Sequence, residues 1–445
     1  MHRTAAIISQ GDEIVLGQTL DTNSRWLSGR LTDLGVTVVE HVSVQDDLAS
    51  IVDALTRLSS RVDIILCSGG LGPTDDDLTR SALAHALHEP LVEDAHALAQ
   101  IEAFFAGRGR CMPAINRVQA LRPASGTSLD NPHGTAPGLC ARLDRADIFC
   151  MPGPPRELVP MFEAWVCPAL RLDASRVILT RALHTIGIGE SDIATLLAST
   201  SAGNLMSRDR SPLVGTTASG GIVSVRFRDE RSPTRADALA QLDACEQLVR
   251  DALGSAVFAV DGPPHDALPA SVIDEMRRRR LTLTACESCT GGLLASMIAD
   301  VPGCSDVFLG GLITYANDAK ASLAGVSPDL ITRHGAISAP VASAMAHGSL
   351  QRLGASASLA ITGIAGPSGG SHDKPVGTVW ISLALRQQAS DPLITDTRRF
   401  ALTGDRRHIR ELSARLALGM LWYHLAGTPD RALLRQAETV SRQAP

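Results

Sequence analysis

The sequence predicts an α/β protein in three parts: an α/β domain over residues 1–170, a small α+β module over 175–260, and a second α/β domain over 266–428. Three observations lead there. At about 150 residues per domain, a chain of 445 residues sets an expectation of three domains. Short apolar runs alternate with helical periods, the pattern of βαβ units and a mostly parallel sheet. Glycine-bearing loops follow directly on those runs, at the sheet edge where open α/β folds bind ligands.

The elements follow in order. Ala5–Ser9 reads as a short buried strand. Asn23–Leu34 places Trp26, Leu27, Leu31 and Leu34 at helical spacing, and Gly35 stands where a glycine ends helices. Val36–Val44 is β-branched and extended, Asp46–Leu58 is helical, and Val62–Cys67 is a continuous apolar strand. In the middle module Val177–Thr185 and Gly221–Arg228 read as strands, with Glu190–Ser199 and Thr234–Leu253 as helices. Asp261–His265 is a linker. The third part begins near Leu268 with strands at Leu281–Ala285, Ser358–Ile361 and Val379–Leu385, and after Gly427 a polar tail is expected.

Composition narrows the function. With 44% hydrophobic and 20% charged residues the chain is globular in character. A net charge of −6 and a pI near 6.1 argue against bulk nucleic-acid binding by a basic surface. No apolar stretch reaches the ~20 residues of a membrane span, and acid appears too early at Asp12 and Glu13 for a signal peptide. Nine scattered cysteines suggest a reducing compartment rather than a disulfide framework. A cytoplasmic protein without membrane or nucleic-acid partners is expected.

Of 41 basic residues only Lys320 and Lys374 are lysines; the other 39 are arginines. Arginine stays charged at any accessible pH, whereas a desolvated lysine can give up its proton and act as a base. The two survivors mark positions where arginine can fail. Lys320 lies five residues after Tyr315, one of only two tyrosines.

In the first domain, Ser68-Gly69-Gly70-Leu71-Gly72-Pro73-Thr74-Asp75-Asp76-Asp77-Leu78-Thr79 sits at the carboxyl end of a strand. Glycines let backbone N–H groups approach phosphate oxygens. Consecutive aspartates beside a phosphate call for a divalent cation between them, although the same residues also suit a tight turn and an acidic helix start. Gly11-Asp12-Glu13, Gly134–Gly138 and Met151–Glu157 add further loops to the same edge.

In the third domain, Cys286-Glu287-Ser288-Cys289-Thr290-Gly291-Gly292 joins a strand to a helix. A serine there either caps the helix or acts as a nucleophile beside free helix N–H groups. A neutral Lys320 can replace histidine as its base. A redox reading of Cys286 and Cys289 is the competing use of the segment, and the run Arg277–Arg280 reads as a solvated helix end.

These motifs carry a resemblance. The set GDE, G-x-x-x-D-x-N (Gly17 to Asn23), SGGLGPTDDDLT, GTAPG and MPGPPRE resembles the molybdopterin-binding-like domain that opens the CinA family, the competence/damage-inducible protein A family. The resemblance implies a divalent-metal-dependent (Mg, Mn or Co type) ADP-ribose pyrophosphatase. Gly69, Gly70, Gly72 and Thr74, with Asn23, would bind the pyrophosphate, and Asp77, Asp46 and Asp12 the metal. Ile14-Val15 stands where the family pattern has two leucines, a conservative swap. The middle module resembles a KH-like module, but Gly187-Ile188-Gly189-Glu190 lacks the GXXG spacing of a nucleic-acid clamp. The module is read as structural, an oligomer contact, and a homodimer is expected.

The set ESCTGG, YANDAK, HGAIS, TGIAGPSGG, KPVGTVW and GDR is similar to the C-terminal domain of the same family, with Cys286 where alanine is usual. The implied activity is nicotinamide-nucleotide amidohydrolase, converting nicotinamide mononucleotide to nicotinate mononucleotide and ammonia without a metal or other cofactor. By the same resemblance Ser288 is the nucleophile, Lys320 the base, and Tyr315 the group that orients Lys320 or stabilises the intermediate. Thr362 and Gly363 would contact substrate, and Arg406 would hold its phosphate. The competing readings are a molybdopterin-binding or transfer protein, because one fold serves both, and a non-catalytic, competence-linked interaction protein.

Overall fold

The computed structural model describes residues 1–173, 176–386 and 391–443. It forms two compact units, Met1–Leu179 with Glu230–Ala238, and Thr180–Asp229 with Leu239–Pro445.

The first unit is built on a six-stranded sheet in the order Thr37–Val44, Thr4–Gln10, Ile64–Ser68, Ala146–Met151, Gly138–Leu143, Thr127–Leu129. Its first four strands run parallel, and the last two pair antiparallel. Successive strand residues point to opposite faces. Ile8 and Ile65 therefore pack with Leu55 and Leu58 in one core, while Ile7 and Leu66 pack with Leu27, Leu31 and Phe162 in the other. Burial on both faces explains why the central strands read as unbroken apolar runs. Asp21 accepts from Ser24 N to start the helix Thr22–Asp33, and Asp47 accepts from Ser50 N to start Leu48–Ser59. The parallel strands end together, bringing the loops after Gln10, Val44, Ser68 and Met151 to one edge.

In the second unit the middle module is a four-stranded sheet, Leu213–Ser219, Ile222–Asp229, Leu179–Ile186, Val257–Val260. It is not a separate bead. Ile186, Ile222 and Phe258 share one apolar core with Leu416, Met420 and Tyr423 of the long helix Arg406–Leu425. The Tyr423 hydroxyl donates to Ile186 O, and a Cβ on Gly187 (φ +80°) would come within 2.6 Å of that hydroxyl. The glycine motif of this module is thus a packing solution.

The remainder is a six-stranded sheet in the order Phe308–Ile313, Leu283–Glu287, Ala357–Gly363, Thr378–Leu385, Ile394–Ala401, Gln436–Gln443. Its first three strands are parallel and the rest antiparallel. The last strand corrects the expected polar tail: Gln436–Gln443 pairs along Ile394–Ala401. An edge strand needs few apolar residues, so it carries no hydrophobic period to read. Arg398, fully buried and paired with Asp396, anchors the approach to it by donating to Pro429 O, Arg431 O and the Gln436 side chain. The arginine run behaves as expected: Arg277 pairs with Asp274 and Asp306, while Arg278 and Arg279 pair with Glu275.

Candidate active site and phosphate-binding edge

The strand Leu283–Glu287 is buried along its whole length and delivers Ser288 to the turn that follows. Ser288 N donates to Ile361 O of the neighbouring strand, which fixes the residue at the sheet edge. The chain then reverses through Gly291 (φ +60°) and Gly292 (φ +95°), a conformation that favours glycine, before the helix Leu293–Ala299.

The competing N-cap role of the serine is excluded here. Buried Glu287 caps that helix, its carboxylate accepting from the amides of Gly292, Leu294 and Ala295. This also corrects the expectation of free helix N–H groups beside the serine, since an internal anion already occupies them. The side-chain partner of Ser288 is Lys320: Nζ lies 2.9 Å from Oγ.

Lys320 projects from the helix Asn317–Ala324 and is 2% exposed. Its Nζ donates to Thr314 O at 2.8 Å and makes a longer contact of 3.5 Å with Tyr315 O. None of these partners is a carboxylate, and burial pulls the Lys320 pKa below the ordinary lysine value. Cys286 and Cys289 flank the serine, and burial pushes their thiols up to about 11 and about 12. Thiols so far from ionising do not support the redox reading.

Tyr315 takes a different position from the one expected. Its main chain approaches Lys320, but its hydroxyl accepts from Arg406 Nη2 at 2.7 Å. Arg406 opens the long helix and also donates to Gly366 O. Thr362 and Gly363 are likewise occupied. The buried Thr362 hydroxyl donates to Ala336 O, and a Cβ on Gly363 would meet Thr378 O at 2.8 Å. Lys374, the second lysine, donates to Ile337 O and His334 O. Thr362 and Lys374 therefore pin the loop 335–338 instead of presenting free polar groups. Sequence reasoning missed two residues of this turn. Arg410, one helical turn beyond Arg406, donates to Thr290 O at 2.6 Å, and the buried Thr290 hydroxyl has no partner among the described residues. The i, i+4 spacing of Arg406 and Arg410 was the available signal.

At the edge of the first unit the loops enclose a cavity of about 470 Å³ that Gly69, Gly70, Gly72, Asn23, Asp46 and Asp77 help to line. Gly70 (φ +67°) is required on two counts, because a Cβ there would also collide with the Gln10 carboxamide. Asn23 Nδ2 ties the edge together by donating to Ser68 Oγ and Gly153 O. Not every glycine amide is available for a ligand, since Gly69 N donates to Met151 O and Gly72 N to Asp77.

Asp77 differs from its expected metal-ligand role. Both of its oxygens accept from the loop itself, from Gly72 N, Thr74 N and Thr74 Oγ1 at 2.6–2.8 Å. Asp77 organises the loop from one side. Arg80, unnoticed in the sequence, does so from the other: its buried guanidinium donates to Leu71 O and Gly72 O, and burial lowers its pKa to about 10. Asp12 and Asp46 face each other, each carboxylate accepting the other's main-chain amide. Among the described residues no group of three or more His, Cys, Asp or Glu side chains is arranged to hold a metal ion. A Mg²⁺-type ion nevertheless takes only one or two carboxylates when substrate phosphates supply further oxygens. Asp12 keeps one carboxylate oxygen without a partner among the described residues, Asp46 also accepts from Gln10 Nε2 at 2.8 Å, and Asp77, with three donors on its two oxygens, is the most committed of the three.

Three families match successive stretches of the chain. Residues 6–172 match the family described as a probable molybdopterin binding domain, residues 180–259 the damage-inducible protein CinA KH domain, and residues 265–425 the CinA C-terminal domain. A putative competence-damage inducible protein of Symbiobacterium thermophilum is 42% identical over 96% of this chain and 100% of its own. A CinA-like protein of Geobacter metallireducens is 39% identical over 94% of this chain and 98% of its own. The crystal structure of competence/damage inducible protein CihA from Agrobacterium tumefaciens is 37% identical, covering 36% of this chain and 94% of that one at a TM-score of 0.34. With near full-length relatives and all three domains matched in order, the chain belongs to the CinA family of competence/damage-inducible proteins.

Proposed function

We propose that the third domain hydrolyses the carboxamide of nicotinamide mononucleotide, giving nicotinate mononucleotide and ammonia through an acyl-enzyme on Ser288. The observation that carries this reading is the buried Lys320 Nζ, 2.9 Å from Ser288 Oγ, with main-chain carbonyls as its other partners. A neutral amine has two N–H donors and one lone pair. As an ammonium Lys320 donates to all three oxygens; once neutral, it keeps N–H groups for the two carbonyls and turns its lone pair to the Ser288 O–H.

In the first half-reaction Ser288 Oγ bonds to the carboxamide carbon while its proton passes to Lys320 Nζ. The tetrahedral intermediate collapses, the C–N bond breaks, and Lys320 returns the proton to the departing ammonia. Water then attacks the acyl carbon, again with Lys320 as base, and frees the carboxylate and Ser288. Arg406 holds the phosphate of the nucleotide, with Tyr315 orienting its guanidinium through the 2.7 Å bond. Thr290 supplies a hydroxyl not committed elsewhere in the described chain. No metal or other cofactor takes part in this half.

For the first domain we propose ADP-ribose pyrophosphatase activity dependent on a Mg, Mn or Co type ion. When bound, such an ion neutralises phosphate charge. Asp12 and Asp46 would hold it, and the loop Gly69–Thr74, set by Asp77 and Arg80, would cradle the pyrophosphate. A molybdopterin-type ligand would use the same edge; hydrolysis of ADP-ribose separates the two readings. The partners of both sites are small-molecule nucleotides. No helix among the described residues is long and apolar enough to cross a membrane. A cytoplasmic homodimer without nucleic-acid or membrane partners completes the proposal. Ammonia release from nicotinamide mononucleotide tests the enzyme reading against a non-catalytic interaction protein.

A further inference from the structure

Lys374 is the lysine that the proposed reaction leaves without a role. It follows the exposed segment 367–373, in the loop between the strands Ala357–Gly363 and Thr378–Leu385. Its Nζ donates to Ile337 O at 2.8 Å and to His334 O at 3.3 Å. His334 closes the helix Pro328–His334, where carbonyls lack amide partners and cations are favoured. The two carbonyls in between are taken by hydroxyls: Ser338 Oγ donates to Gly335 O, and Thr362 Oγ1 to Ala336 O. The four consecutive carbonyls of residues 334–337 thus each accept from a side chain, and Lys374 serves two of them.

The loop that carries Lys374 meets Arg406 at its other side. Gly366 O accepts from Arg406 Nη1 at 2.7 Å, while Arg406 Nη2 donates to the Tyr315 hydroxyl. Gly366 (φ +79°) packs directly on Val376, two residues from Lys374; a Cβ on Gly366 would come within 2.6 Å of Val376 Cγ1. Ser371 N donates to Lys374 O and Gly377 N to Ile364 O, so the loop is closed on itself. We propose that Lys374 is a positioning residue for nucleotide binding: its ammonium fixes the loop 364–377 so that Gly366 O keeps the Arg406 guanidinium turned to the substrate phosphate. The proposal rests on the reading of the third domain as acting on nicotinamide mononucleotide. An ammonium is a compact head with three donors, whereas a guanidinium is planar and wider. A Cβ on Gly335 would lie 3.5 Å from Nζ, so the head is packed against main chain. That geometry accounts for a lysine here in a chain with 39 arginines.

The test compares the full-length parent with Lys374→Met, Lys374→Arg, Arg406→Ala and the double variant Lys374→Met/Arg406→Ala. Steady-state ammonia release from nicotinamide mononucleotide and calorimetric titration with nicotinate mononucleotide are run on each, with melting temperatures alongside. Lys374→Met should raise KM by about 2- to 30-fold, the range for changes that act through a network, and weaken the titrated ligand alike. The kcat and the pH limb should stay at parental values, and Lys374→Arg should weaken binding less than Lys374→Met. The double variant should bind no worse than Arg406→Ala alone, because Lys374 acts through that guanidinium. Losses that multiply in the double variant overturn the proposal. So does a lowered melting temperature with parental KM and affinity in Lys374→Met, which would make the contact purely structural. Parental binding in Lys374→Arg also overturns it, since any cation would then serve. Weakened binding in Lys374→Met of a protein that releases no ammonia would uphold the positioning role and remove the proposed reaction. Ammonia release with a KM indifferent to Lys374 would do the reverse, and a parent that binds no mononucleotide overturns both.

Discussion

Lys320 Nζ stands 2.9 Å from Ser288 Oγ inside a pocket of protein where the lysine is 2% exposed and meets main-chain oxygens instead of a counter-ion. An ammonium in that place loses hydration without gaining a carboxylate, so burial shifts the balance toward the neutral form.

The first prediction follows from that sign. Activity requires neutral Lys320, so kcat/KM for nicotinamide mononucleotide should rise with pH along a single limb and then level. The limb should lie below the ordinary lysine value of about 10.4, because burial lowers the pKa. Stability should rise with pH in the interval between the lowered and the ordinary value, where the unfolded chain holds a proton that the folded chain lacks. A pH–rate profile checks the first statement, and urea melts at several pH values check the second. A limb at or above the ordinary value would contradict both.

Arg406 and Tyr315 act on binding in this account. Arg406→Lys loses the bidentate fork and should raise KM, with kcat changed little. Tyr315→Phe removes the hydroxyl that accepts from Arg406, and should shift KM in the same direction by less. The pH limb should not move in Tyr315→Phe. A moved limb would return Tyr315 to the lysine-orienting role first expected for it.

In the first domain, Asp46→Asn and Asp77→Asn should separate. Asp46→Asn should raise the divalent-ion concentration needed for ADP-ribose hydrolysis while lowering the melting temperature less than Asp77→Asn does, since Asp46 holds two donors and Asp77 three. Asp77→Asn should lower both activity and stability, because three loop donors lose an ionised acceptor and charge-assisted bonds are worth about 1.5–3 kcal/mol each. EDTA should stop ADP-ribose hydrolysis and spare ammonia release. Full pyrophosphatase activity in EDTA would end the metal role.

Arg398→Met tests the anchor of the last strand. It leaves Asp396 buried with His424 but without its guanidinium, a change that typically costs about 3–5 kcal/mol. Limited proteolysis should then cut near Pro429–Gln436 first. An unchanged melting temperature would mean that the edge strand does not depend on this pair.

Much of the fold was legible because parallel strands buried on both faces announce themselves as apolar runs, as Ile64–Ser68 does. The edge strand Gln436–Gln443 was not, since an edge strand need carry no such run. The pairing of Ser288 with Lys320 was foreshadowed by the scarcity of lysine, a compositional signal independent of the fold. Roles that depend on hydrogen-bond direction were hidden. Nothing in the letters tells that Glu287 turns to cap a helix, that Asp77 folds back on its own loop, or that the Thr362 hydroxyl is spent on Ala336 O. Those outcomes are decided by which buried donor lies nearest, and tertiary structure alone supplies that.

The most direct measurement is ammonia release from nicotinamide mononucleotide by the parent, Ser288→Ala and Lys320→Arg at neutral pH. If Lys320 is only a cation, arginine should serve as it does at 39 other basic positions of this chain. If Lys320 is the base for Ser288, arginine keeps its proton and the rate should fall by at least ~10²–10⁴-fold. The fall should approach that of Ser288→Ala, because the two act as one unit, while circular dichroism and ADP-ribose hydrolysis stay at parental levels. A parent that releases no ammonia, or Lys320→Arg within a few-fold of it, would contradict the mechanism.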